Sequence, residues 1–519
     1  MKSATANQRL IRAAGLAAVA VFLGLVARFW HPVYGFTALL QLDASNDHNK
    51  IAAFRELPVY VYKNTGGYDG LYYAQIAYHP ALRDPELAPA IDNLSYRARR
   101  ILVPALAWLL AGGNPKWIVH VYSLFNVAAW LALAGLLWRL LEVNDRRSWI
   151  AWAGLMFSAG ALSSVRFALT DLAALTLVTG AFLLVERASH YGGLGVLAAA
   201  SLARETSLVA VPGLWEPPWI SWRNVSRTFL VGAPFALWLG YIRWRVGPLD
   251  VGSGNFGWPV ASLVRKWGAD LMASSSLELH ALALTTLLAT LALTVQAVFF
   301  LVRWRPADLW WRVGAAHSAF MLCLGGAVWE GFPGAATRVM LPLNLAFNVF
   351  AVRTRAPLVW LLLGNLTVFS GLLTMNFLPY DGPLELVARG NGVIYQARFN
   401  EGWFGRESNW RRAWTWSDGH GSVSVTSSPA TSRSLRLEFE TRSLAPCTVT
   451  IRQGGRQIWR GAVGTERTPA SAVVQLVDGR AVLTFSTDTP GTMENSKPGA
   501  RLLAFAVYDP RLTLPDTPR

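Results

Sequence analysis

Residues 192–215 read GGLGVLAAASLARETSLVAVPGLW, two apolar runs separated by the charged pair Arg204-Glu205. Each run, Gly192–Leu202 and Thr206–Trp215, is only about half of the roughly 20 residues that a membrane crossing needs. Either the stretch is one helix with an ion pair buried at its centre, or it is two short helices that meet at the outer edge of a membrane. The two readings differ by one crossing, so they reverse the sidedness of everything downstream. Lys and Arg collect in cytoplasmic loops. Two short helices place Arg223, Arg227, Arg303, Arg305, Arg312, Arg353 and Arg355 all inside, whereas a single helix puts the Arg303–Arg312 cluster outside. The charge bias selects two helices.

From that pivot the remaining spans fall into order. Lys2, Arg9 and Arg12 precede the apolar run Ala13–Ala27, which reads as an uncleaved first helix with its N-terminus in the cytoplasm. Residues 34–100 are polar and form a large external loop. Ile101–Ala111 carries Pro104 and is too short to span, so it reads as interfacial or re-entrant. Trp117–Leu141, Trp149–Val165 and Leu169–Val185 precede the pivot. Phe229–Trp244, Leu279–Val302, Trp311–Trp329, Ala335–Val352 and Pro357–Met375 follow it, with Val246–Leu277 as a second external loop. The fold class is therefore a polytopic α-helical membrane protein with about 11 transmembrane helices, occupying residues 1–376.

After Phe377 the period changes. Residues 377–392 read as a linker, and residues 393–519 as short alternating strands (Val423–Thr426, Leu435–Phe439, Thr448–Arg452, Ala481–Phe485) punctuated by Gly, Pro and Ser. That pattern predicts an all-β sandwich, and the crossing count delivers it outside the cytoplasm.

Composition agrees. The chain is 53% hydrophobic and 15% charged, and its 24 tryptophans suit interfacial belts. The net charge of +16 lies mostly in arginines that flank apolar runs, which argues against a nucleic-acid partner. Two cysteines give no disulfide framework, and the eight histidines show no zinc spacing.

Within the first external loop, residues 66–80 read GGYDGLYYAQIAYHP. Asp69 stands where an N-cap or first-turn acid would stand, ahead of a helix-favouring run from Leu71. The plain reading is a helix cap. On the selected topology, however, Asp69, Arg166, Asp171, Arg204, Glu205, Glu330 and Arg338 all gather at the outer membrane edge. Charges beside apolar segments are costly and usually face a bundle interior or a wet cavity. Singly, each fits a structural pair, Arg166 with Asp171 or Arg338 with Glu330. Together they suit an anionic lipid headgroup, since guanidinium matches phosphate bidentately.

These stretches resemble the GT-C superfamily of integral-membrane glycosyltransferases, particularly bacterial members with a YDG motif in the first external loop. The matching segments are Gly67–Tyr73, Tyr96–Pro104 (YRARRILVP), Thr170-Asp171, Ala203–Thr206 and Thr337–Pro342 (TRVMLP), in that order. The resemblance spans Leu10 to Met375. It implies transfer of a sugar, with inversion, from a polyprenyl-phosphate-type lipid donor to a cell-envelope glycan or glycolipid acceptor. The setting it implies is the outer face of a bacterial plasma membrane. Asp69 would be the catalytic base, and Tyr68, Tyr72, Tyr73, Arg100, Asp171, Arg204, Glu205 and Arg338 would bind substrate. Many GT-C members carry their acid closer to the first helix, so Asp43 and Asp47 stand beside Asp69 as candidates. No cofactor is required, although some relatives use a divalent metal and the acids here are compatible with one.

The tail resembles carbohydrate-binding-like sandwiches appended to cell-envelope glycosyltransferases, with Gly402-Trp403-Phe404 and residues 410–416 (WRRAWTW) as the suggestive aromatics, several of which must instead fill the sandwich core. Two further readings use the same residues: a transporter or flippase of a lipid-linked glycan, and a membrane-anchored glycan-binding assembly protein.

Overall fold

The computed structural model describes residues 6–514 except 32, 63–64, 251, 253, 276–280, 333, 377–383, 409–411 and 495–499; for residues 6, 44, 47 and 408 only the backbone is described. The chain divides into two compact units, Met1–Tyr60 with Gly66–Phe377, and Val61–Thr65 with Leu378–Arg519.

The first unit is helical. Six of its described helical segments are long and apolar enough to cross a membrane: Asn7–Ala27, Pro115–Leu140, Arg146–Arg166, Trp222–Arg245, Ala281–Val302 and Leu358–Met375. Two of them are interrupted. The break at Phe157-Ser158 lets the Ser158 hydroxyl accept from Ala161 N–H and start the helix Ala159–Arg166. The other falls at Asn365-Leu366, between Leu358–Gly364 and Thr367–Asn376. The other apolar runs form shorter helices: Asp171–Glu186 with 16 residues, Leu309–Leu322 with 14 and Leu341–Arg353 with 13. The proline-bearing run gives the nine-residue helix Leu102–Leu110.

At the pivot, an α-helix His190–Ala203 stops and a tighter 3₁₀ helix Glu205–Leu214 begins, with Arg204 extended between them (φ −155°, ψ 124°). His190 and Leu214, the far ends of the two pieces, line one small cavity with Val185 and Arg312. The stretch therefore doubles back at Arg204 as two short helices, the arrangement that the arginine distribution selects.

Two charged layers bound this unit, and the helix Asp171–Glu186 runs between them. At 1.5 Å per residue its 16 residues cover about 24 Å. At its start, Asp171 meets Arg204 and Arg338. At its end, Glu186 accepts from Arg353 Nη2 (2.8 Å) and from Trp310 Nε1 (2.7 Å). Arg312 donates to the Pro212 and Gly213 carbonyls (2.9 and 3.0 Å), closing the same layer at the 3₁₀ helix's end. The protein is a multi-pass membrane protein.

The second unit is all-β, and its described residues form two large antiparallel sheets and a small pair, Thr492–Met493 with Leu502–Leu503. The six-stranded sheet runs in the order Arg456–Val463, Cys447–Gln453, Arg480–Thr487, His420–Ser428, Val393–Phe399, Glu385–Gly390. The five-stranded sheet runs Thr468–Gln475, Ser434–Ser443, Phe505–Thr513, Ala413–Ser417, Glu407–Ser408. Strand Ser434–Ser443 shows why they pack. Leu435, Leu437 and Phe439 alternate inward, onto Val423, Ile451, Leu483 and Phe505 from the other strands. Glu385–Gly390 pairs with Val393–Phe399 through a turn at Asn391-Gly392, so the sheet begins ahead of residue 393 and takes in part of the expected linker.

The suggestive aromatics are mostly spent on this core. The Trp403 ring packs edge-on against Phe399, Phe485 and Phe505 (5.0, 5.1 and 5.5 Å between centroids). Trp416 is buried, and Trp414 stacks on Tyr508. Trp410 and Arg411 lie outside the described residues.

Candidate active site

The long segment after the first helix folds into short helices, and the one that matters is Gly70–Tyr78. Asp69 immediately precedes it, but its backbone is already helical (φ −56°, ψ −23°) and its side chain makes no capping hydrogen bond. The carboxylate turns instead to Arg97, whose Nη1 lies 2.8 Å from Asp69 Oδ2. The flanking glycines serve packing rather than substrate access. A Cβ on Gly70 would come within 2.4 Å of the Phe167 carbonyl oxygen, and Gly67 sits at φ +70° against the Asn46 side chain.

Asp69 opens onto a cleft of about 500 Å³. Three guanidinium clusters furnish its polar side. Arg97 is shared between Asp69 and Asp92, pairing with the latter through Nε (3.0 Å) and Nη2 (2.7 Å). Arg100 makes a two-pronged bond to Glu205 (3.0 and 2.8 Å) and donates to the Tyr73 and Tyr96 hydroxyls. Arg204 lies 2.5 Å and Arg338 3.7 Å from the two oxygens of Asp171, and Arg338 Nη2 donates to the Tyr68 hydroxyl at 3.1 Å. The Tyr68 ring is itself fixed by stacking on Phe167 (4.2 Å). Phe256, Phe320, Leu324 and Val328 supply an apolar side to the same cleft.

The cleft thus brings together Tyr68, Asp69, Arg100, Arg204, Glu205 and Arg338 of the sequence-derived set. Three other members stand behind it. Tyr73 and Asp171 are buried and hold the arginines, so their expected substrate contacts give way to supporting ones. Tyr72 offers its ring to the Arg97 guanidinium (5.0 Å) without lining the cleft. The two structural pairs suggested by the sequence are replaced: Asp171 takes Arg204 and Arg338, while Arg166 meets Gln41 and the rings of Phe29 and Phe167. Asp43 is buried and accepts from Ser45 N–H and Oγ–H (2.9 and 2.7 Å), a local cap. The Asp47 side chain lies outside the described residues.

Sequence reasoning passed over Arg97, Asp92, Asp250 and Asn255, which also line the cleft. Arg97 was visible in the basic cluster Arg97-Arg99-Arg100. Asp250 and Asn255 come from the loop that follows the helix Trp222–Arg245, where no local pattern marks them; Asp250 is tied to the first loop by Asn93 Nδ2 (2.5 Å).

Burial pushes the Asp69 carboxyl up, and Arg97, Arg338 and Arg100 together pull it down further, so it rests below the ordinary aspartate value. It is ionised at neutral pH. Of the acids at the site, Asp69 and Glu205 in the cleft and Asp171 behind it are each engaged by guanidinium. Among the described residues no three metal-ligating side chains converge.

No protein-family model matches the chain, and no curated protein matches it. Solved structures that align with it include the following two. One is arabinosyltransferase EmbB from Mycobacterium smegmatis, at 13% identity and a TM-score of 0.28, covering 96% of this chain and 64% of that one. The chain therefore spans under two thirds of EmbB's length. The other is TmCBM61 in complex with beta-1,4-galactotriose, at 10% identity and a TM-score of 0.15, covering 26% of this chain and 90% of that one. Overlap at these scores is too low to transfer a function, so the chemistry has to come from the cleft itself.

Proposed function

We propose that the cleft is the active site of a GT-C-type glycosyltransferase. It moves a sugar from a polyprenyl-phosphate-type donor to a hydroxyl of a cell-envelope glycan or glycolipid, at the outer face of a bacterial plasma membrane. The observation that carries this reading is the pairing of an uncapped, ionised Asp69 with Arg204 and Arg338 in one cleft whose other side is apolar. A lipid phosphate needs that division of labour: guanidinium for its head, hydrocarbon for its chain.

The step is a single displacement. The acceptor oxygen forms the new bond to the sugar's anomeric carbon, its proton passes to the Asp69 carboxylate, and the bond to the donor phosphate breaks. The electron pair stays on the departing phosphate oxygen, where Arg338 and Arg204 stabilise it. Attack from the face opposite the leaving phosphate inverts the anomeric centre. A phosphate on Arg338 also offsets part of the positive field on Asp69 and raises its pKa toward the working range. Incubating purified protein with a panel of polyprenyl-phosphate sugars should release lipid phosphate in step with glycosylated acceptor. Release from none of them would count against the assignment.

The pH profile gives a second check. Removing Arg97 deletes the strongest downward pull on Asp69 and leaves burial opposed only by Arg338 and Arg100, so its pKa rises. Wild-type kcat/KM should stay flat through the mildly acidic range, whereas Arg97→Ala should lose activity there because the base protonates at a higher pH. Superimposable acidic limbs would remove Arg97 from the account.

Orientation rests on the arginine layer at the Glu186 and Arg353 end, which the positive-inside rule assigns to the cytoplasm. Ala88 is exposed on the first external loop. In a background lacking Cys323 and Cys447, Ala88→Cys should react with an impermeant thiol reagent in intact spheroplasts. Labelling only after lysis would put the cleft on the other side.

A further inference from the structure

The β unit holds a cavity of its own, of about 580 Å³. One contributor is the half-buried indole of Trp459. Phe439, Pro469 and Ala470 add to its apolar part, and Arg412, Glu438, Glu440, Asp509 and Arg511 form a polar array. Neither half is accidental in its geometry.

Trp459 sits at an irregularity in the pairing of Arg456–Val463 with Cys447–Gln453, where the register shifts between Gln457 and Trp459. Bulges of this kind re-aim a side chain. Gly461 makes room for the indole, since a Cβ there would lie 2.6 Å from its Cζ2 atom. The ring rests edge-on against Phe439 (6.0 Å, 65°), which fixes it at the cavity.

On the polar side, Arg412 Nη1 bridges Glu440 Oε2 (2.6 Å) and Asp509 Oδ2 (3.2 Å), and Asp509 Oδ1 accepts from Ala413 N–H (3.0 Å). The two carboxylates are held in place yet keep 39% and 33% of their side chains exposed. They are oriented acceptors with lone pairs to spare.

The cavity is lined by three carboxylates (Glu438, Glu440, Asp509) and two guanidiniums (Arg412, Arg511), and Arg436 and Arg467 reach Glu438 and Glu440 at 3.9 and 4.0 Å. Acids and bases are nearly balanced there, so no strong field draws a polyanion to the cavity. A sugar fits both halves: its C–H face lies on an indole, and its adjacent hydroxyls bond to carboxylate and guanidinium pairs. We propose that this cavity binds a neutral, hydroxyl-rich glycan, with Trp459 as the stacking platform and the Arg412–Glu440–Asp509 cluster reading the hydroxyls. This places recognition on residues other than Trp403 and Trp416, which the core has claimed. The proposal is independent of the transferase reading, because binding is measured without turnover.

The test uses the full-length protein in detergent, immobilised and exposed to dextran, arabinan and β-1,4-galactan, with hyaluronate as an anionic counterpart. At least one neutral polymer should bind, and Trp459→Ala and Glu440→Gln should each weaken it about tenfold with thermal melting unchanged. If Trp459→Ala fails to fold, Glu440→Gln decides. Binding to hyaluronate alone, to no polymer at all, or equally well by wild type and both folded variants would overturn the proposal.

Discussion

Asp69→Asn is expected to lower sugar transfer at least about a hundredfold while leaving donor binding and melting behaviour at wild-type values. The substitution keeps the side chain's size and much of its hydrogen bonding but removes the proton acceptor. The fold should tolerate it because the carboxylate caps no helix, and Arg97 retains its two-pronged bond to Asp92. Asp43→Asn supplies the contrast. That carboxylate is buried on Ser45, so its loss should register in stability rather than in the chemical step. Transfer at the wild-type rate by Asp69→Asn would reassign the base.

Arg338→Ala should cost roughly a hundred- to a thousandfold in kcat, the usual effect of deleting a group that meets charge developing in the transition state. Arg338→Lys should recover part of that loss, since it restores the charge without the planar fork. The arginine's structural duties can be covered by neighbours. Asp171 keeps Arg204 at 2.5 Å, and Tyr68 keeps its stack on Phe167. A drop in melting temperature with unchanged kcat in the surviving protein would mark Arg338 as a structural ion-pair partner and nothing more.

Much of the architecture was legible because membrane insertion writes itself into sequence. Apolar length and arginine placement are enforced by the bilayer, and they settled how Gly192–Trp215 folds back at Arg204. The β unit was legible through its period of two, as in Leu435, Leu437 and Phe439. Its first strand was missed because Glu385–Gly390 lies at the edge of its sheet, half-exposed and without strong alternation.

The site was legible in part, for a different reason. Motif order placed Tyr68, Asp69, Arg204, Glu205 and Arg338 together, but sequence carries no rule for which charge meets which. Asp171 takes two arginines more than 30 positions away in the chain, and only tertiary packing decides that. Asp250 and Asn255 enter through a loop with no periodicity to read. The tryptophans could not be sorted from sequence, since an indole serves a core as well as a sugar.

The central claim is that this cleft transfers sugar from a lipid phosphate using Asp69. It is tested most directly in proteoliposomes that hold wild-type or Asp69→Asn protein, with the active polyprenyl-phosphate sugar present only in the leaflet facing the cleft, and with released lipid phosphate as the readout. The account predicts release by wild type, coupled one-to-one to glycosylated acceptor, and its near-complete loss in Asp69→Asn. Intact donor in both samples, accompanied by movement of the lipid-linked sugar to the opposite leaflet, would contradict it and identify a transporter instead.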